Sequence, residues 1–185
     1  MRELSLNVMD VAQNSVRAEA TLVRISVTES DKDDRLTIEI ADDGCGMTEE
    51  QVQQVIDPFF TTRTTRKVGL GIPLLMQNAM LSGGNVDIVS EVGKGTTITA
   101  TFHTESIDCL PVGDLASTVA TIIMGSPDKP EFSIHCVSDT GEMRFSTEDI
   151  RPVLEGVSLS EPSVVQWIQE SLQEEIEPIL GGIMR

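Results

Sequence analysis

Apolar side chains recur along the first half of the chain at the spacings typical of helices and strands. An apolar residue at every third or fourth position predicts an amphipathic helix over residues 4–18. Alternation of apolar and polar residues predicts strands at 22–28 and 35–40, which an acidic turn joins as an antiparallel pair. The same reasoning predicts, in chain order, a helix at 48–56, a helix at 70–81 and a strand hairpin at 85–90 and 96–102.

Proline and glycine punctuate the residues from 106 onward, and the pattern between them changes. It predicts a helix at 112–124, a hairpin of strands at 132–137 and 142–145, and two short helices at the end. The last helix carries apolar residues at helical spacing beside a tryptophan, which favours core packing over a dimer surface. These residues are Val164, Val165, Trp167, Ile168, Leu172 and Ile176.

This mixture of helices and strands predicts an α+β fold. We expect a two-layer α/β sandwich, in which the helices of the first half cover one face of an open mixed sheet. The residues after Glu105 are the more acidic part, with 4 basic and 14 acidic residues against 9 and 16 in residues 1–105. We therefore predict an N-terminal domain over residues 1–105 and a small α+β C-terminal extension over residues 106–185.

The acidic composition narrows the classes of partner and compartment. With 13 Lys and Arg against 30 Asp and Glu, the formal net charge is -17, so we expect no nucleic acid and no membrane as a partner. No apolar run approaches the roughly 20 residues that span a bilayer, and the first ten residues lack an export signal. Three widely separated cysteines, Cys45, Cys109 and Cys136, are typical of a reduced compartment. We therefore expect a cytoplasmic protein.

The sharpest chemical signal is the segment Asp42-Asp43-Gly44-Cys45-Gly46-Met47, directly after a predicted strand. Gly44 and Gly46 let the backbone turn closely against a flat ligand. The Asp42 carboxylate can accept a hydrogen bond from an exocyclic amine such as that of adenine. Taken alone, the segment is more often an Asx-type hairpin turn.

A second signal is a polar stripe on the first predicted helix. Asp10, Asn14 and Arg17 share one face because they lie three and four residues apart. An asparagine oxygen can ligate a divalent ion bound to phosphates, an arginine can pair with a phosphate, and an aspartate can deprotonate a nucleophile. The alternative for this stripe, taken alone, is a solvated helix face.

Five spaced segments follow one another in a recognisable order. They are Asp10-x-x-x-Asn14, Asp42-x-Gly44-x-Gly46, Pro58-Phe59-Phe60-Thr61-Thr62-Arg63, Gly69-Leu70-Gly71 and Gly93-Lys94-Gly95-Thr96-Thr97. The order resembles the ATP-binding domain of the gyrase, heat-shock chaperone, histidine kinase and mismatch-repair superfamily, and most closely its histidine kinase branch. Five motifs in one order rarely coincide by chance. The resemblance covers residues 1–104 and implies the fold of that domain.

The resemblance also implies a site for ATP and Mg²⁺. Asn14 would bind Mg²⁺ through the ATP phosphates, and Asp42 would bind the adenine amino group. Gly69 and Gly71 would let the chain run into a helix whose N-terminal amides face the phosphates. The residues implied to bind the nucleotide are Asn14, Arg17, Asp42, Gly44, Gly46, Met47, Phe60, Arg63, Lys67, Gly69, Leu70, Gly71 and Thr96.

Two classes of function fit this resemblance. The first is a stand-alone regulatory kinase or ATPase similar to the anti-sigma serine kinases, with Asp10 as the general base for a hydroxyl of a partner protein or for water. Because only thirteen residues precede Asn14, we expect no phosphoacceptor helix, and we expect both His103 and His135 to be structural. The alternative is a non-catalytic module whose ATP or ADP state switches a protein interface.

The sequence says less about partners. The resemblance to stand-alone proteins of this type suggests a redox-linked protein partner. The apolar stripe of the last helix leaves a homodimer as the alternative to core packing.

Overall fold

The computed structural model describes residues 3–56 and 70–184. The strands of these residues are β1 Leu22–Ser30, β2 Arg35–Asp42, β3 Asn85–Glu91, β4 Gly95–Phe102, β5 Glu131–Ser138 and β6 Gly141–Ser146. Their helices are α1 Leu4–Arg17, α2 Glu49–Ile56, α3 Gly71–Leu81, α4 Leu115–Gly125, α5 Thr147–Ile150 and α6 Pro162–Leu180, with a 3-10 helix at Arg151–Leu154. The predicted elements of the first half are confirmed within a few residues at each end.

The strands form one mixed sheet in the order β3-β4-β2-β1-β5-β6. Each neighbouring pair is antiparallel except β1 and β5, which run parallel. One row of side chains therefore crosses the whole sheet on a single face. It consists of Ile88, Ile98, Ile40, Ile25, Ile134 and Phe145.

Helices cover this face and leave the other face open. In β1 the side chains of Val23, Ile25 and Val27 are buried, whereas Arg24 and Thr28 on the opposite face are exposed. The alternation follows from the two-residue period of a strand. α1 packs between α3 and α4, and α4 in turn packs against α6. The predicted α+β fold and two-layer sandwich are confirmed.

The C-terminal residues join the same sheet. β5 lies beside β1 over seven paired residues, from Leu22 with Glu131 to Thr28 with Val137. Strands from both sides of residue 105 thus share one layer and one hydrophobic core. The division into domains at residue 105 stays a prediction.

The expectation of two short closing helices is wrong for the second one, because α6 has 19 residues. Its predicted core positions Val164, Ile168, Leu172 and Ile176 are buried, which confirms the packing interpretation for these four. Trp167 is 46% exposed and contributes less to the core than its position suggested. No helix of the described residues is long and apolar enough to cross a membrane.

Candidate functional site

Asp42 ends β2 on the helix-covered face, where it continues the row of Ile38 and Ile40. Two donors hold its carboxylate. The Ser15 hydroxyl donates to Oδ2 at 2.5 Å, and the Gly44 amide donates to Oδ1 at 2.9 Å. A carboxylate has about four acceptor positions, so this half-buried group keeps acceptor capacity for a ligand.

The row that contains Asp42 is polar across three strands. Asp42 lies opposite Thr96 on β4, and Thr96 lies opposite Ser90 on β3. The hydroxyls of Ser90 and Thr96 are 2.8 Å apart, and Ser90 Oγ also accepts a hydrogen bond of 2.8 Å from the Met47 amide. The structure therefore brings Asp42, Met47 and Thr96 together at one end of the sheet.

The loop after Asp42 lies between the end of α1 and the β3–β4 turn, and it has no room for a side chain at Gly44 or Gly46. A Cβ on Gly44 would lie 2.7 Å from the Ala18 carbonyl oxygen. Gly46 has a φ of 66°, and a Cβ there would overlap the Glu91 carbonyl oxygen. The Cys45 amide donates to the Ala18 oxygen at 2.9 Å. The two glycines are therefore required by close backbone approach.

Asp43 ties the same loop to the start of β1. Partial burial opposes the charged form, but hydrogen bonds from the Thr21 hydroxyl and from the Leu22 and Thr21 amides more than offset it. The pKa of Asp43 is therefore below its usual value, and the group is ionised at neutral pH.

The polar stripe of α1 lies next to this loop. Asp10 and Asn14 are half-buried, whereas Arg17 is exposed and its Nη1 donates to Asn14 Oδ1 at 3.3 Å. On the other side, α1 approaches the start of α3 so closely that a Cβ on Gly71 would lie 2.5 Å from the Asp10 Cβ. On one side of the stripe lies Asp42, which Ser15 connects to α1. On the other side lies the N-terminus of α3.

The N-terminus of α3 is free of side-chain capping among the described residues. Leu70 occupies the capping position, is exposed, and forms no side-chain cap hydrogen bond. The first amides of a helix lack partners within the helix and attract anionic groups. Pro73 lies in the first turn, where its missing N–H costs little.

Four of the predicted nucleotide-binding residues lie outside the described part of the chain. They are Phe60, Arg63, Lys67 and Gly69.

Ser15 is a polar residue of the site that the sequence argument missed. It occupies a core position of the amphipathic pattern of α1, and it is buried. A serine at an apolar position directly after Asn14 was the available signal, but its partner Asp42 is 27 residues away in the chain.

The cysteines and histidines lie apart from this site, with one exception. Cys45 is exposed in the Asp42 loop. Burial raises the pKa of the Cys136 thiol to about 12 and also raises that of Cys109. His103 contacts Asp34, and His135 contacts Glu142. The described residues contain no group of three or more potential metal ligands among His, Cys, Asp and Glu.

Comparison with known proteins bears on the same residues. Residues 2–106 match the family model "Histidine kinase-, DNA gyrase B-, and HSP90-like ATPase". The chain is 31% identical over 99 residues to the sensor histidine kinase ZraS of Klebsiella oxytoca. This alignment covers 54% of this chain and 21% of that protein. It is 27% identical over 95 residues to sporulation kinase D of Bacillus subtilis, and this alignment covers 51% of this chain and 19% of that protein. The matches thus span about a fifth of these relatives' length.

A crystal structure of the N-terminal domain of a DNA repair protein is similar with a TM-score of 0.49 and 16% identity. The similarity covers 80% of this chain and 53% of that one.

Proposed function

The chain belongs to the histidine kinase-, DNA gyrase B-, and HSP90-like ATPase family, and we propose that it is a regulatory kinase or ATPase that transfers the γ-phosphate of Mg-ATP to a partner protein or to water. ATP binding by residues 2–106 follows from the family. The phosphoryl acceptor, the role of Mg²⁺ and the residue assignments below are proposals.

One observation carries the proposal: the polar stripe of α1 has Asp42 on one side and, on the other, the start of α3, which has no side-chain cap among the described residues. Ser15 links α1 to Asp42 by a hydrogen bond of 2.5 Å, and Asp10 contacts the position of Gly71. Phosphoryl transfer from a nucleotide needs a group that binds its base, a group that receives its phosphates, and a reactive group beside the γ-phosphate. These three parts correspond to the Asp42 loop, the start of α3 and the stripe.

Asp42 is suited to adenine rather than guanine. Its carboxylate is fixed by Ser15 and Gly44, and it offers its remaining acceptor positions to the exocyclic amine of adenine. Guanine has a carbonyl oxygen at the corresponding position, and two acceptors facing each other repel. Thr96, beside Asp42 on β4, adds a hydroxyl that can hold a bridging water.

The phosphates are assigned to the start of α3 and to α1. The first amides of α3, which have no side-chain cap within residues 3–56 and 70–184, favour anions. Arg17 can pair with a phosphate oxygen, and we assign Arg63 and Lys67 to the same phosphates. Asn14 contributes a single amide oxygen, which fits Mg²⁺ because this ion keeps several waters and takes its other ligands from phosphates. When bound, Mg²⁺ offsets charge on the transferring phosphoryl group.

Asp10 is assigned as the general base. It is half-buried on the stripe between Asn14 and the start of α3, beside the proposed position of the phosphates. There it would accept the proton of an incoming hydroxyl or water as that nucleophile attacks the γ-phosphorus. The proposal places this reaction in the cytoplasm, where ATP is available, and the partner would be a protein with an accessible hydroxyl.

The experiment is titration calorimetry with ATP, ADP and GTP in the presence of Mg²⁺, followed by incubation of the same sample with γ-labelled ATP. We expect binding of ATP and ADP, weaker binding of GTP, and slow release of labelled phosphate or labelling of an added partner. Binding without turnover would support the nucleotide switch instead. A protein that binds none of these nucleotides contradicts the proposal.

Two variants separate binding from turnover. Asp42→Asn should abolish ATP binding, because the amide presents a donor to the adenine amine, whereas Asp10→Asn should retain ATP binding and lose turnover. Asp108→Asn is the matched control, since Asp108 is an exposed loop residue far along the chain from the stripe. Loss of binding in Asp10→Asn would show that this residue is structural instead.

A further inference from the structure

Asn7 is a buried polar residue that the proposed ATP site does not use. It lies on α1 with 0% of its surface exposed, and its Oδ1 accepts a hydrogen bond of 3.0 Å from Asn78 Nδ2 on α3. Its own Nδ2 has no hydrogen-bond partner, and it is the one buried side-chain polar atom in this state among the described residues. Burying an unpaired amide is unfavourable, so an asparagine at this position needs a reason beyond packing.

Asn7 extends the polar stripe of α1 by one turn towards the N-terminus of the helix. Residues three and four apart share a helix face, so the stripe runs from Asn7 through Asp10 to Asn14. α3 passes along it, with Gly71 against Asp10 and Asn78 bonded to Asn7. Within the described residues, this is the only side-chain hydrogen bond between α1 and α3.

The buried apolar side chains of α3 fix its position along α1 less sharply than the hydrogen bond between Asn7 and Asn78. Ile72, Leu75 and Ala79 pack through apolar contacts, which are tolerant of small shifts when total volume is kept. A hydrogen bond is directional, and a single buried asparagine is known to fix the register of paired helices. A shift of α3 by one residue would move its start by about 1.5 Å relative to Asp10.

We propose that Asn7 and Asn78 are positioning residues of the ATP site. Their hydrogen bond fixes the register of α3 against α1, and with it the separation between the Asp10 carboxylate and the N-terminal amides of α3. The inference rests on the proposed function, since it assigns to the pair the alignment of the groups that hold and attack the phosphates.

The test replaces both asparagines in the full chain. Asn7→Leu with Asn78→Leu removes both hydrogen-bonding partners, so no polar group is left unpaired and the double variant should melt at or above the temperature of either single variant. We expect its dissociation constant for Mg-ATP to rise at least tenfold. The amide resonance of Gly71 in a ¹H–¹⁵N NMR spectrum should also shift, because the start of α3 moves.

Ser82→Ala is the matched control. Ser82 is also a buried polar residue at the end of α3, but its hydroxyl donates within its own helix, to the Ala79 carbonyl at 2.8 Å. This variant should keep the dissociation constant within twofold and leave the Gly71 resonance in place.

Two further variants test the inference if the double variant does not fold. Asn78 is only half-buried, so Asn78→Leu should fold and bind Mg-ATP more weakly, and Asn78→Gln, which keeps the donor, should recover part of the affinity. If a folded Asn78→Leu variant or the folded double variant bound Mg-ATP with the affinity of the wild type, the inference would be overturned and the proposed function would stand. A wild-type protein that binds no nucleotide would overturn the proposed function together with the inference.

Discussion

Ser15 controls how the Asp42 carboxylate is presented. Its hydroxyl is the donor to Oδ2, and the bond crosses from α1 to the end of β2. Without it, Asp42 keeps the Gly44 amide as a donor but loses the contact that orients it towards α1. A single buried hydroxyl therefore links the proposed base-binding group to the proposed phosphate-binding helix.

Replacing Ser15 by alanine should weaken ATP binding about tenfold, since a hydrogen bond to a charged group contributes about 1.5–3 kcal/mol and water will replace part of it. Titration calorimetry of Ser15→Ala with Mg-ATP measures the change. Ser5→Ala is the control, because Ser5 is a buried serine of the same helix whose hydroxyl bonds to Glu3. Equal losses in both variants would mean that the effect comes from α1 stability and not from Asp42.

Asp34 gives the fold a dependence on acid pH. Hydrogen bonds from the Glu105 amide and the Thr104 hydroxyl, with His103 beside the carboxylate, lower the pKa of Asp34. A folded-state pKa below the unfolded value of about 3.9 means that this stabilisation is complete above that pH and is lost as the pH falls through the folded value.

The melting temperature of Asp34→Asn should therefore lie below that of the wild type at pH 5–7, and the difference should shrink below about pH 4. Asparagine tolerates the φ of 45° at this position, so the variant isolates the charge. Thermal unfolding from pH 3 to pH 7 gives both curves. A difference that stays constant down to pH 3 would show that the carboxylate charge contributes nothing.

At the scale of elements, the start of α3 requires a glycine because α1 lies too close to it for a side chain. Alanine is the better helix former by about 1 kcal/mol, yet a Cβ at Gly71 would lie 2.5 Å from the Asp10 Cβ. Neither atom is at the end of a flexible side chain, so α3 and α1 must separate to admit it.

Gly71→Ala should lower ATP affinity about tenfold and reduce stability by about 1–3 kcal/mol, the usual cost of overpacking. The matched substitution is Gly125→Ala, at the last residue of α4, where a Cβ meets nothing within 4 Å. Gly125→Ala should leave affinity unchanged and stability unchanged or slightly higher. Calorimetry and chemical unfolding of the two proteins measure both effects, and unchanged affinity in Gly71→Ala would argue against phosphate binding at α3.

Local elements were predictable because their signals are local. Periodicity predicted α1 and the β1–β2 pair, and Thr48 and Gln51 form a reciprocal cap at the start of α2. For the candidate site, the motifs led to Asp42 and Asn14, and their roles stay predictions. The motifs did not lead to Ser15 and Asn7, because both occupy core positions of α1 and their partners lie 27 and 71 residues away. Contacts at such separation depend on tertiary packing.

At the scale of the molecule, the arrangement of strands was the part hidden from the sequence. The hairpin of β5 and β6 lies in the predicted C-terminal extension, and β5 pairs in parallel with β1. A parallel pair needs a long crossover connection, and its register follows from the sheet edge it meets. Nothing in the alternation of residues 131–138 specifies that edge.

The segment after residue 105 also completes the start of α1. The amides of Leu4 and Ser5 donate to the carbonyls of Pro111 and Val112, and the Val112 amide donates in turn to the Ile183 carbonyl. Two backbone amides at the start of α1, which have no acceptor within the helix, thus donate to residues that α6 and the residues after it hold in place.

A fragment of residues 1–105 should therefore fail to fold cooperatively. Removing the rest leaves the β1 edge unpaired over residues 22–28 and exposes the α1 face that packs on α4, and exposed strand edges promote aggregation. Circular dichroism and ¹H–¹⁵N NMR should show a broad transition and poor dispersion for the fragment, against a sharp transition for residues 1–185. A fragment that melts cooperatively and binds ATP would instead support an independent domain, and residues 106–185 would then be free to serve as a partner-binding unit.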